Sequence, residues 1–241
     1  MVIRSFKSNE NLSRAAALVL ASAIIKKPDC VLGLATGTSP LPMYKYLAEL
    51  NLDGLIDFKD VSTYNLDEYW GLKGDHVQSY RYFMNENLFN HINIDKKNTH
   101  VPCGIAADSK AECANYDAEI LKRGGIDVQL LGIGRNGHIG FNEPDDYFTF
   151  ETHKVALTES TIEANSRLFD SVDEVPTYAV SMGMGTIMNA KTIVMLAHGK
   201  NKAQAVHDMI KGPVSPQCPA SMLQNHPDVI VLLDEEAASM L

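Results

Sequence analysis

Two periodicities take turns along the chain. Short apolar runs, bounded by glycine or polar turn residues, predict buried strands at Val2–Phe6, Cys30–Ala35, Val61–Asn65, Val128–Ile133, Tyr178–Met182, Thr192–Ala197 and Val229–Leu233. Between them, apolar residues recur at helical spacing. From Ser8 to about Lys26 one face carries Leu12, Ala16, Val19, Leu20 and Ala23, with Ser8 as cap, Glu10 in the first turn and lysines at the end. Further helices are expected at Leu41–Leu50, Gln78–Asn90, from the capping box Ser109-x-x-Glu112 to Arg123, from the Lys200–Lys202 region to Lys211, and at Pro219–Asn225. His153–Leu157 reads as an edge strand, and Asp145–Glu151 has no clear period and reads as a loop or lid. Strand and helix alternate throughout, which predicts an α/β fold with a mostly parallel sheet covered by helices on both faces.

Polar residues then cluster just past four of these strands. The run Val128–Ile133 opens into Gly134-Arg135-Asn136-Gly137-His138-Ile139-Gly140-Phe141-Asn142-Glu143-Pro144. Glycine lets backbone approach a ligand closely. An imidazole and a carboxylate in one such turn, His138 and Glu143, are candidate acid–base groups. Gly132-x-Gly134-x-x-Gly137 also matches the dinucleotide fingerprint, but Gly140 and Pro144 stand where its helix should settle. After Cys30–Ala35 comes Thr36-Gly37-Thr38-Ser39-Pro40 and then a helix. Hydroxyls, backbone N–H groups and a helix start together can hold an anion, or form an ordinary capped turn. The Gly-Lys-Ser/Thr ending of a Walker A loop is missing. Asp67 and Glu68 follow Val61–Asn65, where α/β folds place ligands; spacing alone leaves them equally readable as turn carboxylates. Lys200 and Lys202 both stand at a helix start, where a lysine's charge opposes the dipole and asks for an anion nearby. A lone Arg167 reads by itself as a surface residue, and His91 and His100 as surface or capping groups.

Composition changes this picture little. At 241 residues, 45% hydrophobic and 21% charged, the chain can form one α/β domain with a sizeable core. A net charge of -9 gives no reason to expect nucleic acid or an anionic membrane as a partner. The four cysteines are widely spaced, without a Cys-x-x-Cys pair, which suits a reducing cytosol. Ala15–Ile25 is amphipathic and too short to span a bilayer, so neither a signal peptide nor an anchor is expected.

Gly132–Pro144, GIGRNGHIGFNEP, is very similar to the signature of the glucosamine-6-phosphate deaminases. Asn65-Leu66-Asp67-Glu68-Tyr69, followed by Asp75-His76 and Gln78-Ser79-Tyr80, resembles a second motif of that family. The resemblance implies a modified Rossmann-like fold over residues 1–241, and the aperiodic run after Pro144 reads as a mobile lid around 145–165. It implies a reaction converting glucosamine 6-phosphate and water to fructose 6-phosphate and ammonia, in amino-sugar catabolism, with no metal or organic cofactor. It implies Asp67 as general base and His138 as the group opening the sugar ring, oriented by Glu143 and Asn136. Asn136 stands where many members have Asp, so an altered pH profile is expected. Thr36, Gly37, Thr38, Ser39, Arg167 and Lys202 would hold the phosphate. Hexameric relatives activated by N-acetylglucosamine 6-phosphate use basic residues after the Asn-Glu-Pro motif and a longer tail. Here that region reads Asp146…His153-Lys154-Val155 and the chain stops at Leu241, which favours a monomer or small homo-oligomer without such activation. The related 6-phosphogluconolactonases share the Gly-His part but are not expected to continue as Phe141-Asn142-Glu143-Pro144. A non-catalytic sugar-phosphate sensor would need a DNA-binding segment, for which a first strand at Val2 leaves no room.

Overall fold

The computed structural model describes every residue except 167, 168, 170, 172 and 173, and every side chain of the rest except those of 160, 164 and 165. Its elements are β1 (Val2–Phe6), α1 (Asn9–Lys26), β2 (Val31–Leu34), α2 (Leu41–Leu52), β3 (Ser62–Asn65), β4 (Asp67–Tyr69), α3 (Tyr80–Met84), β5 (Thr99–His100), α4 (Ser109–Lys122), β6 (Val128–Gly132), β7 (His153–Ala156), α5 (Glu159–Ser166), β8 (Tyr178–Ser181), α6 (Met184–Met188), β9 (Thr192–Ala197), α7 (Ala203–Lys211) and β10 (Val229–Asp234). Seven strands form one sheet in the order β1-β10-β9-β6-β2-β3-β5, and every neighbouring pair is parallel. Inner strands such as Val31–Leu34 are buried along their whole length, as a sheet packed on both faces requires. Helix α1 lays Leu12, Ala16, Leu20 and Ile24 on that core, and Ser8 caps it by accepting from the Asn11 N–H at 3.2 Å.

The order of the strands places a crevice. From β2 the chain steps to β3 and β5 on one side, and from β6 it goes on to β9 and β10 on the other. The carboxyl ends of β2 and β6 therefore flank the point where the winding reverses, the usual ligand position in open α/β sheets. Close pairing there depends on Gly33. Its register partner Gln129 is fully buried and lies where a Cβ on Gly33 would stand, and the Gln129 amide donates to the Leu130 carbonyl at 2.8 Å.

Four local expectations change. Asp67–Tyr69 is not a turn but strand β4, the edge of a second sheet ordered β4-β8-β7 and antiparallel throughout. The Leu66 N–H still bonds Leu34 in the parallel sheet at 3.0 Å, whereas its carbonyl accepts from Met182 at 2.7 Å, so the chain changes sheets at this residue. Helix α4 is capped by Asp108 rather than Ser109. Asp108 accepts from the N–H groups of Lys110 and Ala111 at 2.8 and 3.3 Å, and Glu112 instead accepts from Cys103 at 2.7 Å. The helix expected over Gln78–Asn90 is five regular residues continued by a wider π turn, Asn85–Phe89. His100 is half-buried with its ring stacked on Tyr64, centroids 4.4 Å apart, and is not a surface group.

Candidate active site

Asp67 and Glu68 are neighbours in sequence with opposite surroundings. Being consecutive in a strand, their side chains leave on opposite faces. Glu68 accepts from three backbone N–H groups, those of Tyr69 and Tyr80 at 2.8 Å and Arg81 at 2.9 Å. It thus caps the start of α3; burial still pushes its carboxyl upward, against these three bonds. Asp67 is 7% exposed, and among the described residues no donor bonds its carboxylate. Burial first, and then the charge of Glu68, push its pKa up to about 8. Glu68 is thereby engaged in holding structure, whereas Asp67 is left available.

The glycine-rich turn after β6 closes over Asp67. A Cβ on Gly140 would lie 2.9 Å from Ser181 Oγ and 3.6 Å from Asp67 Oδ2, so only glycine brings this backbone so near. The Phe141 N–H donates to Ser181 Oγ at 3.0 Å. The Asn142 amide donates to the carbonyls of Ile139 and Met182 at 2.9 and 2.8 Å. These bonds fasten the turn to the end of β8, directly across from Asp67 in the small sheet.

His138 lies across Gly134, whose missing side chain leaves room for the imidazole. Its Nδ1 is 3.1 Å from Glu143 Oε1, a contact that lies off the line of the N–H. The Glu143 carboxylate also accepts from Asn136 Nδ2 at 2.7 Å and from Thr161 Oγ1 at 3.1 Å. Burial raises the Glu143 carboxyl, but His138, Asn136 and Thr161 together outweigh it and hold the pKa below the ordinary value. The Asn136 side chain makes no bond to the imidazole ring. Instead its amide donates to Glu143, and its Oδ1 accepts from the His138 backbone N–H at 3.3 Å. Thr161 escaped the sequence reading: it stands on α5, beyond β7, and no local pattern ties it to Glu143.

The anion-binding candidates sit at the carboxyl ends of β2 and β9. Among the described residues, the hydroxyls and backbone N–H groups of Thr36, Thr38 and Ser39 and the N–H of Gly37 have no partner. The turn is fixed from outside, because the buried Tyr44 of α2 donates its hydroxyl to the Ala35 carbonyl. Lys202 donates to the Ile133 carbonyl at 2.6 Å, bringing its charge to the β6 turn. Burial, and then the nearby Arg135 guanidinium, hold its pKa below the usual lysine value. Arg135 is exposed in the same turn and was passed over in the sequence, where a single Arg in a loop carries no signal. Lys200 is exposed, with its backbone N–H on Glu236. Arg167 lies outside the described residues. Behind the β6 turn is a cavity of about 260 Å³, lined by Phe141, Glu143, Tyr147, His153, Lys154 and Pro219 among others. Among the described residues, no group of three or more His, Cys, Asp and Glu could hold a metal ion, and no helix is long and apolar enough to cross a membrane.

This geometry can be set beside known proteins. A glucosamine-6-phosphate deaminase of Thermoanaerobacter pseudethanolicus is 56% identical over 232 residues, covering 96% of this chain and 92% of the relative. One from Alkaliphilus oremlandii is 52% identical over 241 residues and the full length of both chains. A solved structure described as a monomeric glucosamine-6-phosphate deaminase superposes with a TM-score of 0.97 at 46% identity, covering all of both chains. The 6-phosphogluconolactonase of Trypanosoma brucei, at 19% identity and a TM-score of 0.77 over 100% of this chain and 98% of its own, shares the fold. The family described as glucosamine-6-phosphate isomerases/6-phosphogluconolactonase matches residues 7–231, and this chain belongs to it.

Proposed function

We propose that the chain is a glucosamine-6-phosphate deaminase, converting glucosamine 6-phosphate and water to fructose 6-phosphate and ammonia. Within the family this reading is favoured over a lactonase by 52–56% identity to deaminases along nearly the whole chain. The observation that carries it is Asp67, a buried carboxyl with no donor among the described residues and with its pKa near 8, under the turn that bears His138. Moving a proton between adjacent carbons needs one base reaching both, and a carboxyl that holds protons well at neutral pH suits that transfer.

In this reading His138, steadied by Glu143, carries a proton from the anomeric hydroxyl to the ring oxygen and opens the pyranose. Asp67 then removes the C2 proton to give an enolamine and returns a proton at C1. Water attacks the resulting C2 iminium, and ammonia leaves. Asn136 serves Glu143 rather than the imidazole. The Thr36–Ser39 turn, Lys202 and Arg167 hold the phosphate, and binding energy from that remote group positions C1 and C2. The free N–H and hydroxyl groups of the turn support this part, as does the inward placement of Lys202.

The chain acts as one catalytic unit over 1–241, with residues 145–165 as a lid. The bond from Thr161 to Glu143 ties that segment to the catalytic turn, and Tyr147, His153 and Lys154 of the segment line the cavity beside Glu143. A monomer or small homo-oligomer follows the monomeric solved relative. The four unpaired thiols suit a cytoplasmic enzyme. No activation by N-acetylglucosamine 6-phosphate is expected; a sigmoidal rate curve that this sugar straightens would refute it.

The deciding experiment follows release of both ammonia and fructose 6-phosphate from glucosamine 6-phosphate, in wild type and Asp67→Asn. Turnover that collapses in the variant supports both the reaction and the base. A wild type inactive here but active on 6-phosphogluconolactone would overturn the proposal.

A further inference from the structure

Residues 215–221 lie far along the chain from the catalytic turn, yet they hold it at both ends. This segment is closed on itself. The Cys218 N–H donates to the Ser215 carbonyl at 3.0 Å, and the Ser221 N–H to Cys218 at 2.8 Å. The hydroxyl of Ser221, a fully buried residue, accepts from the Ser215 N–H at 2.8 Å and donates to the Ser215 carbonyl at 3.1 Å. The chain then enters a 3-10 turn, Pro219–Asn225, whose Ala220 and Leu223 are fully buried in the main core. The segment is thus a strap with a fixed base.

Its two attachments flank the reacting groups. At one end the Ala220 N–H donates to the Gly137 carbonyl at 2.9 Å. The Cys218 Sγ lies 2.5 Å from where a Gly137 Cβ would be, and Gly137 has φ +85°. The thiol therefore packs on bare backbone in a conformation that other residues rarely adopt. At the other end the Asp145 N–H donates to the Pro216 carbonyl at 3.2 Å, and Gln217 Nε2 donates to the Asp145 carbonyl at 2.8 Å. His138, Asn142 and Glu143 all lie between Gly137 and Asp145.

We infer that Cys218 and Gln217 are positioning residues, and that the Ser215–Ser221 strap sets the His138–Glu143 geometry from outside the active site. A glycine-rich turn has much conformational freedom to lose, and its off-line contact at 3.1 Å has little angular preference to hold it. Two attachments to one rigid strap remove that freedom before substrate arrives, which is how a supporting shell fixes a catalytic group. The thiol is half-buried and burial raises its pKa, so packing rather than thiolate chemistry is its part here.

The inference rests on the proposed deaminase reaction for its kinetic readout, so a second readout independent of turnover goes with it. Cys218→Leu crowds Gly137, and Cys218→Ser keeps the size of the side chain. Gln217→Ala removes one attachment at an exposed position. Cys218→Leu should lower kcat roughly tenfold or more with KM nearly unchanged, because the phosphate-holding turn is untouched and small misplacements at the reacting groups are costly. Gln217→Ala should lower kcat about two- to threefold, and Cys218→Ser should restore nearly wild-type kcat. In the resting proteins, the imidazole NMR signals of His138 should move in Cys218→Leu and return in Cys218→Ser. Unchanged His138 signals and kcat in folded Cys218→Leu would overturn the inference, as would a kcat loss explained wholly by loss of folded protein. If Cys218→Leu does not fold, Gln217→Ala with wild-type kcat and His138 signals overturns it equally. A wild type without deaminase turnover sinks the functional proposal alone, and the His138 signals still judge the strap.

Discussion

Asp67 and Asp127 stand at opposite ends of the same parallel sheet and are used in opposite ways. Asp127 lies just before β6, at the amino edge. It accepts from the ammonium groups of Lys27 and Lys191 at 2.7 Å each and from the Val31 N–H at 2.8 Å. Burial pushes its carboxyl up, but these donors outweigh that and leave the pKa below the ordinary value. Asp67, past the carboxyl edge, is buried with no donor among the described residues and has a pKa near 8. One carboxylate joins β2, β6 and β9 through its partners; the other is buried with no donor among the described residues. Buried carboxyls that stay unpaired mark function more often than architecture.

The contrast can be tested from both ends, beginning with Asp67. Asp67→Asn should lower kcat by roughly 10²–10⁴-fold, the usual contribution of a positioned general base. The same variant should be more stable than wild type. The native state holds the Asp67 proton more tightly than the unfolded chain, whose value is near the ordinary 3.8. The wild type therefore loses stability as pH rises between those two values, and Asn escapes the loss. Thermal melts should show a gap opening from about pH 4 to pH 8, reaching a few kcal/mol. In the wild type kcat/KM should rise with pH up to about 8, as the free enzyme's base ionises. Equal melting temperatures at pH 5 and pH 9 for wild type and variant would contradict the burial argument.

Asp127→Ala should do the reverse, costing about 1–3 kcal/mol of stability with kcat per folded molecule unchanged. Both lysines are partly exposed, so the cost arises chiefly from the emptied Val31 N–H rather than from the ion pairs. Its native pKa is depressed, so its contribution is present above the ordinary 3.8 and lost as pH falls through the native value. The stability gap between this pair of proteins, read from urea melts, should therefore shrink as pH falls below 3.8. A large kcat loss in Asp127→Ala would break the division of labour.

Gly33→Ala probes the ground between the two ends. Its new methyl would meet the Gln129 amide and cost about 1–3 kcal/mol by overpacking. Adding Gln129→Ala should recover part of that loss, a coupling measurable in a double-mutant cycle. Additive losses would show that the two residues do not share the space. Asn136→Asp should have the smallest effect. It would place a second carboxylate where an amide now donates to Glu143 at 2.7 Å, raising the Glu143 pKa. We expect kcat to fall severalfold at neutral pH, and a separate, more acidic limb set by Glu143 to move upward. An unchanged pH–rate profile would remove Asn136 from the site.

Much of this was legible along the chain because parallel strands advertise themselves. They are buried on both faces, so Val31–Leu34 and Thr192–Ala197 read as continuous apolar runs, and the polar residues just past them fall on one edge. Strand β4 was not legible, since Asp67-Glu68-Tyr69 carries no strand period and its partner is β8, more than a hundred residues on. For the same reason the choice between Asp67 and Glu68 had to wait for the N–H groups of α3. Thr161, Asp127 and the strap at 215–221 act through partners distant in sequence, which no local pattern announces. The Asp108 cap was missed for another reason: Asp and Ser are equally good caps, and here they are adjacent.

The change of sheets at Leu66 has a mechanical consequence. Its N–H belongs to the large sheet and its carbonyl to the small one, so Asp67 is the first residue beyond a pivot. The far strand of the small sheet, β7, leads straight into α5, whose Thr161 rests on Glu143. A rocking of the small sheet would then turn the base and the support of the imidazole through one lever arm.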